Sequence, residues 1–341
     1  MARREPPRTA FTLVEVMVVF VIIGILAALV LPAVQSARES SRRSVCSGRL
    51  SQLAMAMIQF EQRFGFVPGW KNLHPRAELP ARVAWPVLLL PFIGRNDVHG
   101  RWADGHQDIS YIDSFVCPSS PPPDSVKPWL SYAGNVGAGT NARSAGYGHP
   151  TRWDGLMLDT TVRSGANSGL RPFGEIAEKG LGRTIAFAEK CGPGRVPGGE
   201  LSPAKWDYLP SGVNSGNFSW GGNTENSVTP WIGIAPGGGV GDWSYAYSNA
   251  RKLINNTTDN SAPGFRSQPS GMHAGSAVLA FCDGRTVFTA PQFDSGLYTV
   301  LLSTNLQRSQ LGVRNNVQLP TNYRSWQFNP LYFHGEDWYI R

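Results

Sequence analysis

The chain has 341 residues, of which 41% are hydrophobic and 16% charged, with 38 glycines and 26 prolines. This composition indicates a folded protein of short strands and long loops, and it excludes a disordered chain or a helical bundle. The formal net charge is +7, but eight arginines and four acidic residues precede residue 65. Because no patch of basic and aromatic residues follows, nucleic acid is not a predicted partner.

The first predicted element is an apolar helix from Phe11 to Val34. At about 1.5 Å per residue, it is long enough to cross a hydrocarbon core of about 30 Å. The positive-inside rule keeps its start cytoplasmic, because it is preceded by Arg3, Arg4 and Arg8. A cleaved secretory signal fits poorly, since the apolar run is long and Gln35 disturbs the best cleavage site, at Ala37. A plain signal anchor fits the hydropathy but explains Glu15 only as a carboxylate that snorkels to the membrane surface.

A third interpretation accounts for Glu15. The sequence Ala10-Phe11-Thr12-Leu13-Val14-Glu15 follows a basic leader and precedes about twenty apolar residues. It resembles the signal of type IV prepilins and type II secretion pseudopilins. The resemblance implies that prepilin peptidase cuts between Ala10 and Phe11 and methylates the new amine of Phe11. Ala10 departs from the glycine that the family prefers there, and Pro32 falls where many pilins carry a proline.

The resemblance also implies a role for Glu15 in assembly. A carboxylate in hydrocarbon is tolerated when it is paired, and the family places this acid against the cationic amino terminus of a neighbouring subunit. The implied partners are other pilin-like subunits, which bind through the N-terminal helix, and membrane lipid. The implied location is the inner membrane, as a single-pass protein with a cytoplasmic N-terminus and an extracytoplasmic head, and assembly would place it in a periplasmic or surface filament.

Residues 35–64 are predicted to form an amphipathic stalk helix. Apolar side chains recur there at steps of three and four residues, which is helical periodicity; they are Leu50, Leu53, Ala54, Met57, Ile58 and Phe64. Gly65 is a natural stop. One helix is therefore predicted from about Phe11 to Phe64, with Pro32 inside it.

The rest of the chain is predicted to be rich in β-structure. Pro86–Gly94 is an apolar helix or a buried strand, and Ser114–Pro123 is predicted to begin as a strand. Trp129–Gly137 and Arg183–Lys190 are predicted strands, the second with one face buried. Two glycine-rich segments are predicted loops, at Gly192–Gly199 and Gly237–Gly241.

The clearest motif of the head is a hairpin in Met272–Phe288, where two apolar runs flank a turn dipeptide, Asp283-Gly284. His273, nine further residues and this dipeptide are similar to the terminal motif of a group of prepilin-like bacterial proteins, domain-of-unknown-function family 1559. Landmarks similar to that family occur in the same order, at Phe64-Gly65-Phe66-Val67-Pro68, Cys117-Pro118-Ser119, Ser131-Tyr132-Ala133-Gly134-Asn135 and a strand closing on Glu189. The resemblance implies a pilin-like, cell-envelope architecture and no established activity.

Candidate sites for chemistry in the head are few. His273 and Asp283 could be a metal or catalytic dyad, or His273 could hydrogen-bond the turn; a pair without a third ligand or nucleophile favours the structural role. Residues 96–108 form a predicted polar loop that could bind a cation through Asp97, Asp104 and Asp108. Because the oxygen spacing is not that of an EF-hand, a solvated loop is favoured, and no metal or cofactor is predicted.

The four cysteines are widely spaced, at Cys46, Cys117, Cys191 and Cys282. No C-x-x-C pair occurs, which excludes zinc-ribbon and thioredoxin-like sites. In an exported head these residues could form up to two disulfides, or they could be buried thiols, and the sequence leaves both open.

These features predict an α+β, pilin-like protein with a long N-terminal helix and a β-rich head. The predicted segments are a leader (1–10), a transmembrane helix half (11–34), the stalk (35–64), the head (65–310) and a C-terminal extension (311–341). The predicted function is a structural subunit of a type IV pilus or type II secretion pseudopilus. An enzyme is not predicted, since no G-x-S-x-G, H-E-x-x-H or Walker motif occurs. The alternative is a membrane-anchored cell-surface protein that never assembles and binds a protein, or a glycan through Trp220, Trp231 and Trp243.

Overall fold

The computed structural model describes the N-terminal helix and much of the head. The described residues are 13–73, 82–104, 111–121, 125–126, 128–138, 155–161, 169–176, 179–190, 195–196, 199–200, 204–205, 231–234, 269, 271–273, 276–289, 298 and 301–304. The predicted leader, the cleavage site at Ala10 and Phe11, and the C-terminal extension lie outside them. The chain divides into two compact units, of which the first ends at Ser44 and the second begins at Val45.

One helix, α1, spans Leu13–Phe64 and confirms the predicted helix. Pro32 lies inside it, and Glu15 lies in its first turn. The helix stops at Gly65, which has a φ of +78° and donates its amide to the Glu61 carbonyl at 2.7 Å. Because a Cβ disfavours this left-handed conformation, glycine is the residue that ends the helix without strain.

From Cys46 onward, α1 contributes to the core of the second unit. Its buried side chains recur every three or four residues, and they are Cys46, Leu50, Leu53, Ala54, Ala56, Met57 and Phe60. The predicted apolar face is therefore confirmed in its centre. At its end it differs, because Phe64 is 48% exposed and Phe60 is the buried aromatic residue.

Two short helices follow, α2 (Trp85–Leu89) and α3 (Asn96–Ala103), with a 3-10 turn at Leu90–Ile93 between them. Of the two predictions for Pro86–Gly94, the helix is confirmed; a proline in the first turn needs no amide donor there. The strand predicted to begin at Ser114 is wrong. Asp113–Phe115 is a 3-10 turn, and the prolines after Cys117 cannot donate hydrogen bonds to a strand ladder.

The described strands are short. In chain order they are β1 (Asn72–Leu73), β2 (Arg82–Val83), β3 (Trp129–Leu130), β4 (Tyr132–Ala138), β5 (Ile185–Glu189), β6 (Arg195–Val196), β7 (Gly199–Glu200), β8 (Ala204–Lys205), β9 (Trp231–Ile234), β10 (Val278–Phe281) and β11 (Thr286–Phe288). The main sheet has five strands in the order β11-β10-β5-β4-β9, in which only β4 and β9 are parallel neighbours. The pairs β1–β2, β3–β8 and β6–β7 form small antiparallel sheets.

These strands test the predictions for the head. The strand predicted at Trp129–Gly137 is present as two strands, β3 and β4, and the strand predicted at Arg183–Lys190 is confirmed as β5. The predicted loop at Gly192–Gly199 is partly wrong, because it contains β6 and the start of β7. Gly237–Gly241 lies outside the described residues.

The central strand, β5, is buried on both faces. One face joins the core that includes α1, where the rings of Trp85 and Phe187 lie 4.7 Å apart. The other face joins a second cluster with Tyr298, Leu301 and Leu302. All five residues of β5 are buried, so the prediction of a single buried face is wrong.

The predicted hairpin is confirmed as β10 and β11. Gly284 takes a φ of +87° in the turn, and the hairpin contacts α1 through two serines. Ser47 Oγ lies 2.8 Å from Thr286 Oγ1, and Ser51 Oγ donates to the Gly284 carbonyl at 2.9 Å. The structure thus confirms an α+β chain in which a long N-terminal helix precedes a head built on a β-sheet.

Candidate functional site: an exposed apolar helix and a buried polar cluster

The first half of α1 presents an apolar surface. Its large side chains are exposed, for example Leu13 at 72%, Phe20 at 68% and Leu29 at 69%. By length and composition, this helix can cross a membrane, and no residue of its most apolar stretch is buried within the chain. Apolar surface of this extent needs a cover of lipid or of other protein, because leaving it in water is unfavourable.

Glu15 is the acidic residue in the first turn of this helix, and it is exposed among exposed apolar neighbours. The amino end of a helix favours a negative charge, which eases the placement of a carboxylate there. The structure therefore places the predicted assembly residue on an apolar surface that other molecules can reach.

A second group of residues meets inside the head. Cys46 comes from α1, Cys117 follows the 3-10 turn at Asp113–Phe115, Glu189 ends β5, and His273 precedes β10. All four side chains are buried, and one nitrogen, sulfur or oxygen atom from each lies within 4.8 Å of the others. We call these four residues the polar cluster.

The distances within the polar cluster are those of direct contacts. His273 Nε2 lies 3.2 Å from Glu189 Oε1 and 3.3 Å from Cys117 Sγ. Cys46 Sγ lies 3.4 Å from Glu189 Oε1. Two thiols, an imidazole and a carboxylate are ligands that a divalent transition metal accepts.

A further layer of contacts holds the polar cluster in place. The Tyr132 hydroxyl lies 3.4 Å from Cys46 Sγ. The second carboxylate oxygen of Glu189 accepts the Val278 amide at 3.1 Å. A Cβ at Gly271 would come within 2.6 Å of that oxygen, so a glycine allows the chain before His273 to approach β5.

Burial changes the acidity of the cluster. It raises the pKa of the Glu189 carboxyl, and the hydrogen bond with His273 opposes part of this shift. The hydrogen bond with Cys117, followed by burial and the charge of Glu189, raises the pKa of Cys46. The Glu189 carboxyl and the Cys46 thiol thus resist ionisation unless a positive charge compensates them.

The structure separates the two residues that the sequence paired. His273 is fully buried in the polar cluster, whereas Asp283 is 39% exposed at the turn. Asp283 Oδ1 accepts the Arg285 amide at 3.0 Å, which supports the turn. The nine-residue spacing thus connects a cluster residue to a turn that contacts α1.

The polar loop predicted at residues 96–108 is wrong over its first eight residues, which form α3. Asp97 lies in the first turn of α3 and pairs with Arg95 at 3.0 Å, and this hydrogen bond lowers the pKa of Asp97 to about 2. Asp104 is exposed at the end of the helix, and Asp108 lies outside the described residues. Of these candidates, Asp97 therefore lies in α3 and forms ion pairs, and Asp104 follows the end of the helix.

The cysteines of the described residues are buried and none is in a disulfide: they are Cys46, Cys117 and Cys282. Of the two possibilities that the sequence left open, the structure has thiols at these positions. Cys282 lies near Lys179 and away from the cluster; burial raises its pKa and lowers that of Lys179 to about 7. Cys191 lies outside the described residues.

The polar cluster was missed as a site by sequence reasoning. Its members lie far apart along the chain, with a sequence separation of 156 for Cys117 and His273 and of 143 for Cys46 and Glu189. The available signal was the set of family landmarks, because Cys117, Tyr132, Glu189 and His273 each belong to one. The structure brings these landmarks together.

Two family models match separate segments of the chain. Residues 7–31 match the prokaryotic N-terminal methylation motif. Residues 35–296 match the family described as "Protein of unknown function (DUF1559)". This match covers well over half of the chain, which therefore belongs to the DUF1559 family, as the sequence predicted.

One curated relative extends the comparison. The chain is 43% identical over 61 residues to "Type II secretion system core protein G" of Pseudomonas aeruginosa. The match covers 18% of this chain and 42% of that protein, so the chain spans less than half of the relative's length. No solved structure is significantly similar to the chain.

Proposed function

We propose that the chain is a prepilin-like, membrane-anchored structural subunit of a type IV pilus or a type II secretion pseudopilus. The observation that carries this proposal is the exposed apolar half of α1 with Glu15 in its first turn. It begins within the segment that matches the methylation motif. The relative named as a type II secretion core protein supports the same class. A structural, non-enzymatic role follows from this class.

Processing is the first step of the proposed function. Prepilin peptidase cuts between Ala10 and Phe11 and methylates the amine of Phe11. The small side chain of Ala10 is the mildest replacement for the glycine that prepilins prefer, so cleavage proceeds at a reduced rate. Cytoplasmic arginines before the helix keep the leader inside and send the head across the inner membrane.

Assembly is the second step. In the filament, Glu15 pairs with the terminal ammonium of a neighbouring subunit, and the apolar side chains around it pack on other helices or lipid. Each charge offsets the desolvation of the other, and the pair fixes the axial register between subunits. Removing one partner of such a pair costs about 3–5 kcal/mol, which corresponds to a loss of incorporation of more than about a hundredfold.

The test compares Glu15→Ala with Glu39→Ala in cells that carry the full chain. Glu39 is the matched control, because it lies on the same helix and forms an ion pair with Arg42 at 3.7 Å outside the apolar half. We expect Glu15→Ala to stay in the membrane fraction but to disappear from sheared filaments, and Glu39→Ala to assemble normally.

Mass spectrometry of the mature protein provides an independent check. We expect an N-methylated Phe11 as the first residue. An intact Met1, or a cut near Ala37, would contradict the proposal. The alternative, a membrane-anchored binding protein that never assembles, makes a different prediction. The wild type would then form no filament, and Glu15→Ala would keep the location and the ligand binding of the wild type.

A further inference from the structure

We infer that the polar cluster is a transition-metal site, with Zn²⁺ as its first candidate, which joins α1 to three distant parts of the head. The ligands are Cys46 Sγ, Cys117 Sγ, His273 Nε2 and Glu189 Oε1. All four belong to the unit that begins at Val45. The inference therefore goes beyond the proposed filament function and does not depend on assembly.

The first argument is geometric. Around a tetrahedral zinc ion with bonds of about 2.0–2.3 Å, neighbouring ligand atoms lie about 3.3–3.8 Å apart. The three contacts described above measure 3.2, 3.3 and 3.4 Å. The four atoms all lie within 4.8 Å of one another, so small side-chain adjustments bring them to one ion.

The second argument is chemical. Two sulfur atoms, one imidazole nitrogen and one carboxylate oxygen make a mixed donor set that suits Zn²⁺, which is borderline-soft. Ca²⁺ and Mg²⁺ require oxygen ligands in larger number. With both thiols ionised and the imidazole neutral, the ligands carry three negative charges, and the charge of a divalent cation offsets two of them.

The third argument is the preparation of the ligands by their neighbours. The amide of Val278 holds one oxygen of Glu189 at 3.1 Å and leaves the other directed at the cluster. The Tyr132 hydroxyl, 3.4 Å from Cys46 Sγ, is placed to donate to a thiolate. Outer contacts of this kind orient metal ligands and raise affinity about 10–100-fold.

Two metal-free states compete with this inference. In one, the thiols, imidazole and carboxylate only hydrogen-bond to one another. In the other, Cys46 and Cys117 oxidise to a disulfide, which an extracytoplasmic compartment favours. A bound metal would prevent that oxidation, since both sulfurs would be occupied as thiolates.

The experiment uses the full chain in detergent, purified under reducing conditions. Zinc content and X-ray absorption at the zinc edge are measured on the wild type. This measurement does not depend on whether a variant folds. We expect about one zinc per chain, with two sulfurs at about 2.3 Å and two lighter atoms at about 2.0–2.2 Å. Co²⁺ titration should then produce the charge-transfer absorption of cobalt–thiolate bonds.

Cys117→Ser and Cys282→Ser form the matched pair of variants. Cys282 is also a fully buried thiol, but it lies outside the cluster. We expect Cys117→Ser to lose about half of the cobalt–thiolate absorption and to bind Co²⁺ at least about tenfold more weakly. Cys282→Ser should match the wild type, and His273→Gln replaces Cys117→Ser if that variant fails to fold by circular dichroism.

Three results would overturn the inference. The first is folded, reduced wild-type protein that shows no metal–sulfur bond in either measurement. The second is a cobalt spectrum that Cys117→Ser leaves unchanged. The third is protein isolated from the cell envelope with a Cys46–Cys117 disulfide and no metal.

Discussion

The apolar half of α1 and the interior of the head differ in where their interaction partners lie. Between Leu13 and Val34 the large apolar side chains are exposed, so the molecules that cover them come from outside the chain. In the head, the corresponding side chains pack on one another, from Leu53 on α1 to Phe187 on β5. Both regions are hydrophobic. They differ in whether other side chains of the same chain pack against their apolar side chains.

The carboxylates of Glu189 and Glu15 also differ in whether their interaction partners come from the same chain. Glu189 is fully buried, and His273, Cys46 and the Val278 amide approach it from the same chain. Glu15 is exposed on an apolar helix surface. A carboxylate in an apolar environment needs compensation, which the head supplies internally and the helix receives, in the proposed function, from another subunit.

The largest expected effect comes from comparing two leucines of α1, one buried in the core and one exposed. Leu53 is 1% exposed and Leu26 is 56% exposed. We expect Leu53→Ala to lower the free energy of unfolding of the head by about 2–5 kcal/mol, because it leaves a cavity in the core. Leu26→Ala should change it by less than about 0.5 kcal/mol.

Denaturant unfolding of the full chain in detergent, followed by tryptophan fluorescence, measures both variants. Equal losses for the two leucines would show that the exposed half of α1 contributes to the stability of the head, and the comparison would fail.

A smaller effect is expected from two glycines that differ in backbone conformation. Gly284 has a φ of +87°, and a Cβ there would lie 2.9 Å from Met55 Sδ. Gly48 is in α1, with open space around its Cα. We expect Gly284→Ala to destabilise by about 1–2 kcal/mol, and Gly48→Ala to stabilise by about 0.5–1 kcal/mol.

Thermal unfolding of the two variants beside the wild type tests these opposite signs. A stabilising Gly284→Ala would show that the turn does not depend on the left-handed conformation or on its contact with Met55.

The last prediction concerns the pH dependence of stability. Burial lowers the pKa of Lys179 from 10.5 to about 7, with Cys282 and Arg183 as its titratable neighbours. Between about pH 7 and 10.5 the unfolded chain therefore holds a proton that the folded chain has released. Unfolding free energy should rise with pH in this window, by at most about 1.4 kcal/mol per pH unit.

Lys179→Met should flatten this slope, since methionine fills similar volume without a titrating group. The unfolding free energies of the variant and the wild type are compared by denaturant unfolding at about pH 7, 8 and 9. These values cover roughly the lower part of the pH window in which Lys179 titrates differently in the folded and unfolded chain. A slope that survives in Lys179→Met would assign the pH dependence to other groups.

Local sequence patterns predicted the elements whose structure depends on residues close together in the chain. The three- and four-residue spacing of Leu50, Leu53 and Met57 predicted the buried face of α1, and Asp283-Gly284 predicted the turn between β10 and β11. The burial of β5 on both faces was not predictable in this way. It depends on Tyr298, Leu301 and Leu302, which come from more than a hundred positions further along the chain.

The polar cluster shows why the site was harder to predict than the fold. Its four members are widely spaced in the sequence, and none of them lies in a metal-binding motif with short spacing. Their proximity depends on α1, β5 and the segment before β10 packing together. Sequence periodicity carries no information about such long-range contacts, so the resemblance to family landmarks was the available indication.

The hairpin contact with α1 has a consequence for how copies of the chain can associate. β11 is the outer strand on one side of the five-stranded sheet, and strands at such positions commonly recruit a further strand from another molecule. Here Ser47 bonds Thr286 on β11, and Ser51 bonds the turn beside it. A strand from a second copy would therefore meet an edge whose strand and turn are already held by α1.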